Sequence, residues 1–237
     1  MKFKGKVAII TGGTGSLGSV IVKTFLDEGA RVAVPIHQRQ PVDALERANT
    51  GSIERLLAIP ADLASQKDVR QFVGKVVTEW KCVDVLIHTV GGYAGGKRVE
   101  EVTEEEWDRL NDVNLKSAFL MCNAVLPSMR ERGFGRIVTV SAMHALRPTA
   151  KRGPYQISKR ALITLTETIA EEVKGSGITA NAIVPSTLLT PENIESMPDA
   201  DTSKWVRPVE IALLASFLCS VESGSINGNA IKVYGGV

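Results

Sequence analysis

Two groups of residues in this chain have types and spacings that suit chemistry. The first is Tyr155-Gln-Ile-Ser-Lys159. Residues four apart share one face of a helix. A free phenol titrates near about 10, too high for easy proton exchange at neutral pH. A cation one turn away favours the phenolate and lowers that value, which predicts a phenol able to pass a proton to a substrate heteroatom. The second group is Thr11-Gly-Gly-Thr-Gly-Ser-Leu-Gly18, which follows an apolar, β-branched run and opens a helical pattern. Glycines there let the backbone approach a pyrophosphate, and the helix N-terminus offers free N–H groups and the positive end of its dipole. Gly12, Thr14, Gly15, Ser16, Leu17 and Gly18 are thus candidate dinucleotide contacts.

The dinucleotide type is set near the end of the second apolar run. An acid there would hold the adenine ribose 2′-OH of NAD. The sequence instead reads Val34-Pro-Ile-His-Gln-Arg39, so His37 and Arg39 are candidates to face a 2′-phosphate. This favours NADP(H) and leaves NAD(H) open. His37, His88 and His144 lack metal-ligand spacing, and no metal centre is expected. His144 reads as a pocket wall or a plain loop residue. Tyr93 and Trp205 are candidate walls for a planar substrate, and Trp205 could equally anchor a loop to the body.

The elements that must position these groups alternate along the chain. Strand patterns at 6–11, 31–35, 55–61, 83–87, 136–141, 178–184 and 230–234 are separated by helical ones at 17–28, 65–80, 103–132, 154–174 and 208–220. Ser65 is placed to cap one helix, and Thr103 with Glu106 forms a capping box for another. Alternation of this kind predicts an α/β fold with a parallel sheet covered on both faces. The near-continuous apolar strands agree with that. No linker or repeat divides the 237 residues, so one domain is expected. The stretch 185–207 reads as one long irregular loop, a candidate substrate lid. A net charge of +2 argues against nucleic-acid and polybasic membrane partners. Cys82, Cys122 and Cys219 form neither a disulfide framework nor a zinc site. With no signal-peptide pattern and no membrane-length apolar run, a cytoplasmic protein is expected.

In this order and spacing the motifs resemble the short-chain dehydrogenase/reductase family over essentially the whole chain. The resemblance implies a Rossmann-type doubly wound sheet of about seven strands. It implies that Tyr155, Lys159 and Asn114 (in Val-Asn-Leu-Lys-Ser-Ala-Phe) are catalytic, with Lys159 also holding the nicotinamide ribose. Asp62 and Leu63 look like the pair at adenine, Gly91 lies in the loop after the fourth strand, and Pro185 and Thr187 begin the segment over the nicotinamide. The resemblance also implies a homodimer or homotetramer built through the helices near 103–132 and 154–174 and the last strand.

Three positions depart from the family pattern. His88-Thr-Val-Gly91 stands where Asn-Asn-Ala-Gly is usual, Ser16 replaces a glycine, and Ala142 occupies the position of the catalytic serine. Ser141 is one residue earlier, and neighbouring strand residues point to opposite faces, so it should not reach a substrate. Loss of a donor to a developing oxyanion costs about 10²–10³ in rate, so an activated or quinonoid acceptor is expected. Patches at 91–96 and 189–205 resemble the quinonoid dihydropteridine reductase branch of the family. The alternatives are a 3-oxoacyl-carrier-protein reductase or alcohol dehydrogenase, and, in a different class, a dinucleotide sensor without catalysis.

Overall fold

The computed structural model describes residues 1–37 and 43–236. Seven parallel strands form one sheet in the order β3-β2-β1-β4-β5-β6-β7. They are β1 (Val7–Thr11), β2 (Arg31–Ile36), β3 (Leu56–Pro60), β4 (Val85–His88), β5 (Gly135–Val140), β6 (Ile178–Pro185) and β7 (Ala230–Val233). The helices are α1 (Ser16–Asp27), α2 (Asp43–Ala48), α3 (Gln66–Trp80), α4 (Glu104–Asn111), α5 (Ser117–Arg132), α6 (Gly153–Glu172), α7 (Pro191–Ser196) and α8 (Pro208–Cys219).

Strand periodicity sends alternate side chains to opposite faces. In β1, Ala8 and Ile10 join α1 and α8 residues such as Phe25, Leu26 and Ala212 on one face. Val7 and Ile9 join Phe72, Met121 and Met129 of α3 and α5 on the other. Both faces are therefore covered, as the strand composition predicts. Ser65 caps α3 through its hydroxyl, which accepts from the Asp68 N–H, and the Thr103–Glu106 capping box opens α4.

One expectation gains detail and another needs correction. The stretch opened by Thr103 is helical from 104 to 132, with a π turn at Asp112–Lys116 between α4 and α5. Ser117 Oγ, the first side chain past it, donates to the Val113 carbonyl inside it at 2.6 Å, the kind of side-chain insertion that distorts a helix ladder. The stretch 185–207 is not irregular throughout. Its neck is closed by a bridge between Leu188 and Val206, with Val206 N–H donating to Thr187 O at 3.0 Å and Leu189 N–H to Val206 O at 2.8 Å. Helix α7 and a 3₁₀ turn at Thr202–Lys204 lie between.

Strand order reverses between β1 and β4, because the chain leaves β3 at one edge and returns beside β1. The crevice at the C-terminal ends of these strands is where ligands of open parallel sheets bind. The glycine turn after β1, the 89–92 loop after β4, Ala142 after β5 and Ser186 after β6 all issue from that edge.

Candidate active site

Tyr155 sits in the first turn of α6, which begins with a proline in its first positions. Lys159 follows one turn later and is buried. Its Nζ donates to the Val140 carbonyl at 3.0 Å, while its own carbonyl accepts from Ser141 Oγ at 2.7 Å. The end of β5 therefore grips Lys159 at both ends. Ser141's hydroxyl is used in that grip, and Ala142, just past the strand, offers only a buried methyl.

Asn114 lies in the π turn and is fully buried. Its Oδ1 accepts from the Gly92 N–H at 2.7 Å, and its Nδ2 donates to the Gly92 carbonyl at 3.1 Å and to Ser158 Oγ at 2.9 Å. Ser158 Oγ in turn donates to the Tyr155 carbonyl at 2.9 Å. One amide thus ties the β4 loop to the start of α6. Gly91 lies close beside it: a Cβ there would stand 2.7 Å from Lys159 Nζ and would have to displace that buried lysine end.

The electrostatics differ from the expectation for the Tyr155–Lys159 pair. The Tyr155 phenol is pushed up to about 12, first by burial and then by Tyr93, with only Arg152 lowering it. Lys159 itself falls to about 8 because it is buried. Burial outweighs every charge near the phenol and Lys159 is not among the groups that shift it, so the predicted lowering is absent from this arrangement.

His88 accounts for the unusual His88-Thr-Val-Gly91. Its ring is fully buried, with Nδ1 3.1 Å from Thr11 Oγ1 and Nε2 3.1 Å from Ser117 Oγ. Ser117 already donates to Val113, and Thr11 Oγ1 accepts from the Thr89 N–H. The consistent assignment is therefore a neutral ring that donates from Nε2 and accepts at Nδ1. Burial, reinforced by the Lys159 charge, lowers its pKa to about 3. His88 is thus a neutral brace joining β1, β4 and the π turn.

The glycine turn has the shape of a dinucleotide cradle. Gly12 adopts φ +69°, a left-handed conformation that favours glycine. A Cβ at Gly18 would run into the Gly12 carbonyl. The residues present therefore fit a pyrophosphate at the α1 N-terminus. Thr14, Gly15 and Leu17 lie in the turn or the first turn of the helix. Asp62 and Leu63 follow β3, with the Asp62 carboxylate accepting from the Ala64 N–H at 2.9 Å. Pro185 ends β6, and Thr187 forms part of the neck of the following segment. His37 is exposed just past β2, and Arg39 lies outside the described residues. Among the described residues, no group of three His, Cys, Asp or Glu side chains could hold a metal ion.

Ser16 makes a contact that sequence reasoning missed. Its hydroxyl donates to the carboxylate of Glu192 on α7, 2.7 Å from one oxygen and 2.9 Å from the other. This hydrogen bond, the first among several, holds Glu192 below the usual carboxylate range. It fastens the 186–206 segment to the cradle. Ser16→Ala is expected to speed amide hydrogen exchange across 186–206 while global stability moves by no more than about 0.5 kcal/mol, as for other exposed positions. Unchanged exchange there would show that the contact does not hold the segment.

Tyr93 borders Tyr155, and His144 contacts Arg152 nearby. The Tyr93 ring stands edge-on to Tyr155, with centroids 5.0 Å apart. His144 Nε2 takes a close contact from the Arg152 guanidinium, which lies 5.8 Å from the Tyr93 ring centre. Trp205 is half-buried at the end of the 3₁₀ turn, next to the Leu188–Val206 bridge. Arg152 was not singled out by motif. The available signal was charge: 133–166 contains six Lys and Arg and no Asp or Glu.

The profile described as short chain dehydrogenase matches residues 6–220. This chain belongs to the short chain dehydrogenase family. Bovine dehydrogenase/reductase SDR family member 4 is 32% identical over 241 residues, covering 98% of this chain and 86% of its own. The 3-oxoacyl-[acyl-carrier-protein] reductase FabG of Thermotoga maritima is 29% identical over 246 residues, covering 100% and 99%. The crystal structure of levodione reductase superposes with a TM-score of 0.91 at 25% identity, covering 99% of this chain and 98% of its own. As a short chain dehydrogenase the chain is an oxidoreductase of a family that uses NAD(P)(H). No helix among the described residues is long and apolar enough to cross a membrane.

Proposed function

We propose that this chain is a reductase acting on an activated or quinonoid acceptor, such as a dihydropteridine, with Tyr155 as proton donor. A bound nicotinamide dinucleotide supplies the hydride. Gly12, Thr14, Gly15, Ser16, Leu17 and Gly18 would hold its pyrophosphate. Asp62 and Leu63 would hold its adenine, and Gly91, Lys159, Pro185 and Thr187 its nicotinamide half. The absence of an acid at the end of β2 favours NADP(H), with His37 and Arg39 toward the 2′-phosphate. Asn114 keeps the β4 loop and α6 in register, and Lys159 keeps a cation behind the phenol. The 185–207 segment acts as a lid on a single dinucleotide-binding domain.

The observation that carries the acceptor assignment is the Ala142 methyl, together with the Ser141 hydroxyl donated to the Lys159 carbonyl. No hydroxyl is left there to polarise an ordinary carbonyl, so the acceptor must be electrophilic by itself. Ala142→Ser tests this. The variant is expected to gain about tenfold or more in kcat/KM on simple ketones and 3-oxoacyl thioesters, and little on quinones or quinonoid dihydropterin. Wild-type turnover of 3-oxoacyl thioesters as fast as of quinones, with no gain in Ala142→Ser, would favour the carrier-protein reductase reading that the Thermotoga maritima relative supports.

The same reading places the protein in a reducing cytoplasm, in keeping with three free, buried cysteines. It makes the protein a homodimer or homotetramer. Trp107, Phe119 and Ile157 of α4, α5 and α6 are exposed large hydrophobics that a second copy would cover.

A further inference from the structure

The loop between β5 and α6 carries Arg147, Lys151 and Arg152, and 133–166 contains no acid to balance them. Among the described residues, none of these three cations is ion-paired with a carboxylate. Arg147 instead lies over the Tyr234 ring, 4.9 Å from its centre. Arg152 differs from the other two in its position. It is half-buried, three residues before Tyr155, and its guanidinium lies beside Tyr93, which itself abuts the Tyr155 ring. Its only described hydrogen-bond partner is the His144 imidazole.

An arginine can only donate, so His144 Nε2 accepts and the ring is neutral with its proton on Nδ1. Burial, and then the Arg152 charge, both disfavour the imidazolium, with the Arg147 backbone opposing weakly. His144 Nδ1 is buried and meets no partner in hydrogen-bond geometry. The cluster therefore has a full positive charge, unused guanidinium donors and no anion. A half-buried cation without a counter-charge is costly in a folded protein. Glu106, the acid lining the neighbouring groove with Lys151, is already taken by Lys97 at 2.6 Å.

We infer that Arg152, oriented by His144, is the specificity-determining contact for a carboxylate on the substrate, so that among activated acceptors this site prefers those bearing a carboxylate over neutral ones such as a dihydropteridine. The guanidinium fork matches a carboxylate in two parallel hydrogen bonds. Its position one aromatic ring away from Tyr155 places the anion and the reacting centre within one small molecule. This inference rests on the assignment of Tyr155 as the proton donor.

The test uses binding without turnover, so that it does not depend on the redox reading. The chain is first saturated with NADPH or NADH, whichever binds more tightly, to fill the phosphate cradle. Acetate, malonate and succinate are then titrated calorimetrically beside acetamide, malonamide and succinamide, with inorganic phosphate as a further arm. At least one acid is expected to bind about tenfold or more tightly than its amide, as for a charge-assisted pair. Arg152→Gln is expected to erase the preference, and Arg152→Lys to retain part of it. Equal binding of every acid and its amide would overturn the proposal, as would a preference that survives Arg152→Gln. Phosphate binding more tightly than any carboxylate would also overturn it. If Arg152→Gln does not fold, the acid-to-amide ratio in wild type and in Arg152→Lys decides alone. A preference lost in Arg152→Gln, in a protein that reduces no acceptor, would leave the subsite standing and refute the redox reading.

Discussion

Tyr155→Phe is expected to lower kcat/KM about a thousandfold while leaving dinucleotide binding and the melting temperature nearly unchanged. The size follows from general acid catalysis, which contributes about 10²–10⁴. The selectivity follows from the geometry. No described hydrogen bond ends on the phenol oxygen, and Ser158 is tied to the Tyr155 backbone carbonyl, which phenylalanine retains. The ring also keeps its edge-on packing with Tyr93. The pH dependence has a definite sign. Burial and Tyr93 hold the phenol up to about 12, so at neutral pH it carries its proton. Reduction, which consumes that proton, is expected to be flat through neutral pH and to fall only in alkali. Oxidation needs the phenolate and is expected to climb steadily as pH rises. Steady-state rates in both directions from pH 6 to 10 would check this. A Phe variant keeping more than a tenth of wild-type activity would remove Tyr155 from the chemistry and revive the dinucleotide-sensing alternative.

Gly18→Ala is expected to weaken dinucleotide binding about a hundredfold and to destabilise the fold by about 1–3 kcal/mol. The added methyl collides with the Gly12 carbonyl, which is backbone and cannot rotate aside. The turn must therefore open, at the cost typical of overpacking. Gly12 also accepts the Gly15 N–H through that carbonyl at 2.9 Å, so the displacement spreads along the cradle. Shifts of about 1 Å in a positioned site can cost about a hundredfold. Fluorescence titration with NADPH and NADH, beside a urea melt, separates the two effects. Tight binding in a stable Gly18→Ala protein would show that the pyrophosphate does not rest on this turn.

Both predictions concern residues legible in the sequence, because their signals are local. A glycine turn between a strand and a helix is contiguous, and the Tyr155–Lys159 pair is one helical turn. The alternation of seven apolar runs with helical patterns likewise determined a parallel α/β sheet, since burial on both faces demands apolar residues at every strand position. The capping signals at Ser65 and Thr103 spanned three residues and were equally readable.

What the tertiary structure decided depends on contacts between residues distant in sequence. The π turn that carries Asn114 leaves the helical pattern of 103–132 nearly intact, because an extra residue in one turn changes hydrogen bonding more than composition. Ser16 meets Glu192 across 176 positions, and His88 is neutral because it is buried near Lys159, with its tautomer set by Thr11 and Ser117 from two other elements. The sequence placed Lys159 one turn from Tyr155, but whether the phenol is lowered was decided by packing. Tyr155's own burial, then Tyr93, raises it instead, and Lys159 is itself lowered by burial. Spacing along a helix sets which side chains share a face. Burial and hydrogen-bond partners, which set their charges, exist only once the strands and helices are packed.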